Sequence, residues 1–71
     1  MKYKGFKKGV WTGILDSAGH TICQGDEIID LATNVSYMVD YNPNMAAFTA
    51  ISGETKIPLY TLKTIIKKNK L

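Results

Sequence analysis

His20, Cys23 and Asp26 stand three residues apart in "HTICQGD", residues 20–26. On a helix that spacing would place an imidazole, a thiol and a carboxylate on one face, as a zinc site requires. The stretch is instead rich in turn residues, and a structural zinc site takes four ligands. The chain has one Cys and one His, so the set falls short. His20 is expected on a hairpin loop, and Cys23 as a small half-buried apolar residue. A Cys–His nucleophile would need a base within hydrogen-bond reach of the thiolate and an oxyanion pocket. Strand residues three apart point to opposite faces, which argues against that pair. Asp26, Glu27 and Asp30 offer carboxylates for glycosidic or Mg²⁺ chemistry. Asp26 is better explained as a turn residue accepting nearby backbone N–H groups, and Glu27 as the solvent side of its strand. No enzyme, metal, cofactor or small-molecule substrate is expected.

A second set of residues could bind polyanions. Lys2, Lys4, Lys7 and Lys8 interleave with Tyr3, Phe6 and Trp11, and Lys63, Lys67, Lys68 and Lys70 crowd the other end. Lysines on phosphates with aromatics stacked on bases are the ingredients of single-strand binding. The candidate nucleic-acid set is Lys2, Lys4, Lys7, Lys8, Trp11, Lys63, Lys67 and Lys68. If the first and last strands were neighbours, the two basic ends would merge into one patch. Against this, the chain has no arginine, and lysine offers only a point charge. Residues 9–62 hold all six acids and only Lys56, a net charge of −5 within a total of +3. The alternative role for the lysines is to keep strand edges soluble and unpaired.

A third set is apolar. Tyr37, Met38, Tyr41, Met45 and Phe48 cluster in one segment and are expected mainly in the core. Met38 and Tyr60 are expected on the outer face, as a patch for a protein partner or a second copy.

Seventy-one residues make one domain, 1–71. A chain of this length buries only about 60% of its unfolded surface, so a partner subunit would help stabilise it. One cysteine fits a reducing cytoplasm. No apolar run approaches the roughly 20 residues of a membrane span, and the basic start leads into no signal-like stretch. A soluble, cytoplasmic protein is expected, with no membrane partner.

These residues must be held by strands, because turn residues recur every eight to twelve positions. "GVWTGIL" (9–15) reads as a strand, "DSAGHT" (16–21) as a hairpin loop of four or five residues, and "TIC" (21–23) as the short return. A turn at Gly25–Asp26 precedes the strand "EIIDL" (27–31). In "VSYMVDY" (35–41), Val35, Tyr37, Val39 and Tyr41 alternate with Ser36, Met38 and Asp40, as on a half-buried strand. "NPN" (42–44) turns into "MAAFTAI" (45–51), so 35–51 is a hairpin, and "SGET" (52–55) turns again. "KIPLYTLKTII" (56–66) reads either as a helix on Leu59, Leu62, Ile65 and Ile66 or as one helical turn at 58–62 and a last strand. β-Branched Thr64, Ile65 and Ile66 favour the strand. The expected fold is all-β: a small five- to six-stranded barrel or a two-sheet sandwich, with a short helical turn near the C-terminus.

Thr12, Gly13, Ile14, Asp16, Gly19, Ile22, Gly25, Asp26 and Ile28 fall on a pattern TGL-x-D-x-x-G-x-x-I-x-x-GD-x-V. Residues 10–31 thereby resemble the YopX family of phage and prophage proteins, with Ile14 and Ile28 as conservative departures. The segments 35–51 and 62–66 match the family loosely, and the chain is about half the length usual for it. The resemblance implies a compact β-rich fold and a phage or mobile-element origin, in a bacterial host, and no established activity. The function expected is non-enzymatic: an interaction module for a protein partner or its own copy. A nucleic-acid-binding role through the two lysine clusters is the alternative.

Overall fold

The computed structural model describes residues 9–68. Lys2, Lys4, Lys7 and Lys8, with Tyr3 and Phe6, lie outside them. Seven strands follow in order: β1 Trp11–Leu15, β2 Thr21–Cys23, β3 Glu27–Asp30, β4 Val35–Asn42, β5 Ala47–Ser52, β6 Thr55–Pro58 and β7 Ile65–Lys67. A 3₁₀ turn at Leu59–Thr61 separates β6 from β7. The protein is all-β, with β1 and β2 forming one sheet and five strands forming another in the order β6-β5-β4-β3-β7. All pairings are antiparallel.

A barrel is not what these strands build. β6 and β7 end the larger sheet and do not pair with each other, so the sheet stays open. β6 is the strand that the sequence did not announce, because its four residues, Thr55 to Pro58, hold a proline and one large apolar side chain. Pro58 sits at an edge, where a missing N–H breaks no inner ladder. The turn before it carries Gly53 at φ 60, as the first central position of a two-residue type II′ hairpin needs. The segment 56–66 resolves as strand, 3₁₀ turn and strand, in keeping with its β-branched close.

One core is shared by the two sheets. Ile28, Tyr37, Val39, Ala50 and Ile65 come from the larger sheet, Ile22 from the smaller, and Leu59 from the 3₁₀ turn. Register stacks them: Ile28 faces Tyr37, and Val39 faces Ala50, which in turn faces Ile57. Ile14, Phe48, Ile57 and Leu62 pack around this set. The alternation in β4 is met at its centre, where Tyr37 and Val39 are buried. It lapses at the ends, where Val35 and Tyr41 are exposed, because strand ends reach past the small core. Full burial of each larger aliphatic side chain, as at Ile22, Ile28, Val39, Leu59 and Ile65, contributes about 1.5–3 kcal/mol, so each is a large fraction of a marginal stability.

Candidate interaction surface

Strand edges decide what such a molecule can bind, since an edge carries unpaired N–H and C=O groups. Three of the four edges are closed by particular residues. At β7, the outward groups meet the turn of the first hairpin. Lys67 N–H donates to Asp16 Oδ2 at 3.0 Å, and Ser17 N–H donates to Ile65 C=O at 2.7 Å. Asp16 thus takes the place that a neighbouring strand's carbonyl would hold.

The Asp16 side chain is fully buried. Its Oδ1 accepts Ala18 N–H at 2.9 Å and His20 N–H at 2.7 Å, while His20 Nδ1 lies 3.1 Å from Oδ2. Burial pushes the carboxyl's pKa up. The hydrogen bonds from Lys67, His20 and Ala18 outweigh it and bring the group from 3.8 down to about 2. Donors converging on one carboxylate hold it ionised inside the fold.

Asp26 closes the outer side of β2 in the same way. Its Oδ2 accepts Cys23 N–H at 2.7 Å, and its own N–H donates to Cys23 C=O at 3.0 Å. The same Oδ2 lies 3.2 Å from Lys67 Nζ. At the far end of the larger sheet, β6 is short and exposes Lys56 next to Pro58's neighbourhood, both ordinary guards of an edge.

β1 differs. Its burial alternates, with Thr12 and Ile14 turned inward and Trp11, Gly13 and Leu15 exposed. Trp11 is 55% and Leu15 53% exposed, and residues 9–15 carry no charge. Among the described residues, the backbone of Trp11–Leu15 bonds to β2 and, through Ile14 N–H, to Thr12 Oγ1 of β1 itself at 3.2 Å. A bulge lies between the Trp11–Cys23 and Ile14–Ile22 pairs. Gly13 takes φ 88 there, open space surrounds the place of its missing Cβ, and Thr12 Oγ1 bridges the gap by donating to Ile22 C=O at 2.8 Å.

The residues singled out by type and spacing separate in space. His20 stands against Asp16, Cys23 is half-buried opposite Trp11, and Asp26 faces backbone and Lys67. Glu27 is exposed and pairs with Lys68 at 3.3 Å. Asp30 is buried and accepts Ala32 N–H and Thr33 Oγ1–H, holding the β3–β4 turn. Among the described residues, no three His, Cys, Asp or Glu side chains group to hold a metal ion. An open groove of about 290 Å³ runs beside Asp40, Asn42, Thr49 and Lys56. Its polar groups are largely spent: Asp40 Oδ1 accepts Gln24 Nε2–H and Tyr41 N–H, and Thr49 Oγ1 donates to Asp40 C=O.

Of the lysine set, Lys67 and Lys68 are ion-paired and Lys63 is exposed. The first and last strands are not neighbours: β1 pairs with β2 and β7 with β3, so the condition for one merged basic patch is not met by strand pairing. Met38 lies half-buried on the outer face of β4, beside Ile51, and Tyr60 is 67% exposed on the 3₁₀ turn. Trp11 and Leu15 as an apolar pair are the surface that sequence reasoning missed. The signal was present, because both share one face of a charge-free strand. Among the described residues no helix is long and apolar enough to cross a membrane. No family model, curated protein or solved structure matches the chain.

Proposed function

We propose that the chain is a non-enzymatic interaction module that docks another protein through β1. The observation carrying this reading is the contrast between edges. β7, β2 and β6 are guarded by Asp16, Asp26 and Lys56 with Pro58, whereas β1 itself, Trp11–Leu15, carries no charge and presents Trp11 and Leu15 to solvent. Trp is among the residues most enriched at interface hot spots. Met38 and Tyr60, the sequence-derived pair, are secondary contacts in this proposal. A cytoplasmic setting and a phage or mobile-element origin belong to the same proposal, supported by the single cysteine and by the resemblance of residues 10–31.

The test is photo-crosslinking of the full chain in a bacterial extract, with benzoylphenylalanine at position 11 or, as a control, at position 63. A protein adduct from position 11 and none from 63 is expected; no adduct from 11 overturns the reading. The alternative, nucleic-acid binding, draws on Lys2, Lys4, Lys7, Lys8, Trp11, Lys63, Lys67 and Lys68. Pairing of Lys67 with Asp26 and of Lys68 with Glu27 weighs against it, since those charges are already offset. Titration of single- and double-stranded nucleic acid against Trp11 fluorescence decides. Binding at a Kd of about 10⁻⁴–10⁻⁶ M that weakens steeply with salt would favour the alternative.

A further inference from the structure

We infer that residues 16–20 form a detachable strap over the β7 edge, one that lifts while the core stays folded and, when down, closes β7 against strand addition. The inference is independent of what docks on β1. The contact imitates a strand pair. Alternation of backbone groups along a strand turns those of Ile66 towards its β3 partner Ile29, and those of Ile65 and Lys67 outward. On that outward side the strap supplies one acceptor and one donor. Lys67 N–H donates to Asp16 Oδ2 at 3.0 Å, and Ser17 N–H donates to Ile65 C=O at 2.7 Å. An added strand would offer its own C=O and N–H at the same two places.

The strap is built to separate from β7 as a unit. Among the described residues, those two bonds are the hydrogen bonds that join it to β7. Its other bonds are internal. Asp16 N–H donates to His20 C=O and Gly19 N–H to Asp16 C=O, while Ala18 N–H and His20 N–H donate to Asp16 Oδ1 and His20 Nδ1 lies at Oδ2. A lifted strap keeps all of these, so the Asp16 charge retains its local donors. Residues 16–20 hold no large apolar side chain, and Leu15 and Thr21, the last β1–β2 pair, are both exposed. The hairpin's grip on the core begins one pair further in, where Ile14 faces Ile22. Segments with few buried apolar contacts open locally at a lower cost than the whole fold. Opening of this one frees Lys67 N–H and Ile65 C=O, while Ile66 stays paired with β3.

Amide hydrogen exchange of the full chain at low urea concentrations, read residue by residue by nuclear magnetic resonance, is the experiment. Ser17 and Lys67 N–H are expected to share one level of protection, at least about tenfold below that of Ile66 N–H. Their exchange should hardly respond to urea, because a lifting strap exposes little surface, whereas that of Ile66 should follow the slope of global unfolding. Ser17→Pro removes the donor to Ile65 C=O and keeps the turn closed by Gly19 N–H on Asp16 C=O, since proline is favoured at the second position of such turns. It should speed Lys67 exchange by about tenfold, the usual worth of one hydrogen bond. Asp16→Asn should act in the same sense. Circular dichroism verifies folding, and either variant suffices if the other fails to fold. Equal protection and equal urea slopes at Lys67 and Ile66, as fraying of β7 as a whole would give, would overturn the inference. So would variants that fold and leave Lys67 exchange as in the parent.

Discussion

Asp16 and Lys67, 51 residues apart, are joined by a 3.0 Å hydrogen bond from the Lys67 backbone N–H to Asp16 Oδ2. This bond ties the turn of the first hairpin to the last strand, and so fastens the small sheet to the edge of the large one. It also completes a ring of contacts on one buried carboxylate, with Ala18 and His20 supplying the others.

Asp16→Asn keeps the shape and removes the charge. One carboxylate oxygen becomes an NH₂ group that faces N–H donors, so at least one buried donor loses its acceptor. A loss of about 2–3 kcal/mol is expected, given the strength of charge-assisted bonds and the cost of an unsatisfied donor. Urea unfolding should show a lower midpoint with an unchanged slope.

The same carboxyl predicts the acid limb of the stability curve. Its pKa is about 2 in the fold against an ordinary 3.8. A group with a depressed folded pKa contributes stability that is fully present above the unfolded value and is lost as pH falls through the folded one. The urea midpoint difference between the parent and Asp16→Asn should therefore hold above about pH 4 and narrow between about pH 4 and pH 2. A difference that stays constant across that window would contradict the assignment.

Ala46 adopts φ 53 in the turn between β4 and β5, a left-handed conformation that costs a Cβ-bearing residue about 1–2 kcal/mol. Ala46→Gly is expected to stabilise the fold by about 0.5–1 kcal/mol, net of glycine's greater freedom when unfolded. Asn34 at φ 64 is a residue that tolerates this region, so Asn34→Gly should change the thermal midpoint less. The two variants compared in one melting series check the point.

Ile28 is fully buried at the meeting of β3, β4 and β7. Ile28→Val should cost about 0.5–1.5 kcal/mol, and Ile28→Ala about 2–5 kcal/mol. In a domain this small, the alanine variant should lose its cooperative transition at room temperature, visible by near-ultraviolet circular dichroism.

Thr12→Val retains a β-branched side chain but removes the hydroxyl that donates to Ile22 C=O and accepts Ile14 N–H at 3.2 Å. A loss of about 1 kcal/mol is expected, with faster amide exchange in Ile14 and Ile22 than in β4. Equal protection in the parent and the variant would show that the bulge does not need the hydroxyl.

Much of the chain's local order was legible as sequence. The turns read at 16–21 and 42–44, seen as loops at 16–20 and 43–46 with Met45 and Ala46 in the second loop rather than the strand, the alternation centred on Tyr37 and Val39, and the closing strand after a helical turn all follow from turn chemistry and side-chain period, which act within a few residues. Asp26 as a cap on nearby N–H groups was legible for the same reason. The roles of Gly13 and Thr12 were not, because a bulge depends on how two strands register. Nor was β6, a four-residue strand with a proline, whose existence rests on pairing with β5.

The sequence by itself determined an all-β chain, its turns, and the absence of charge along residues 9–15. Only the tertiary structure decided that the large sheet stays open, that Asp16 closes its β7 edge, that Lys67 and Lys68 spend their charges on Asp26 and Glu27, and that Trp11 and Leu15 face solvent. Pattern and propensity are local, whereas edges, ion pairs and exposure come from contacts between residues up to 51 positions apart, which no short window of sequence contains.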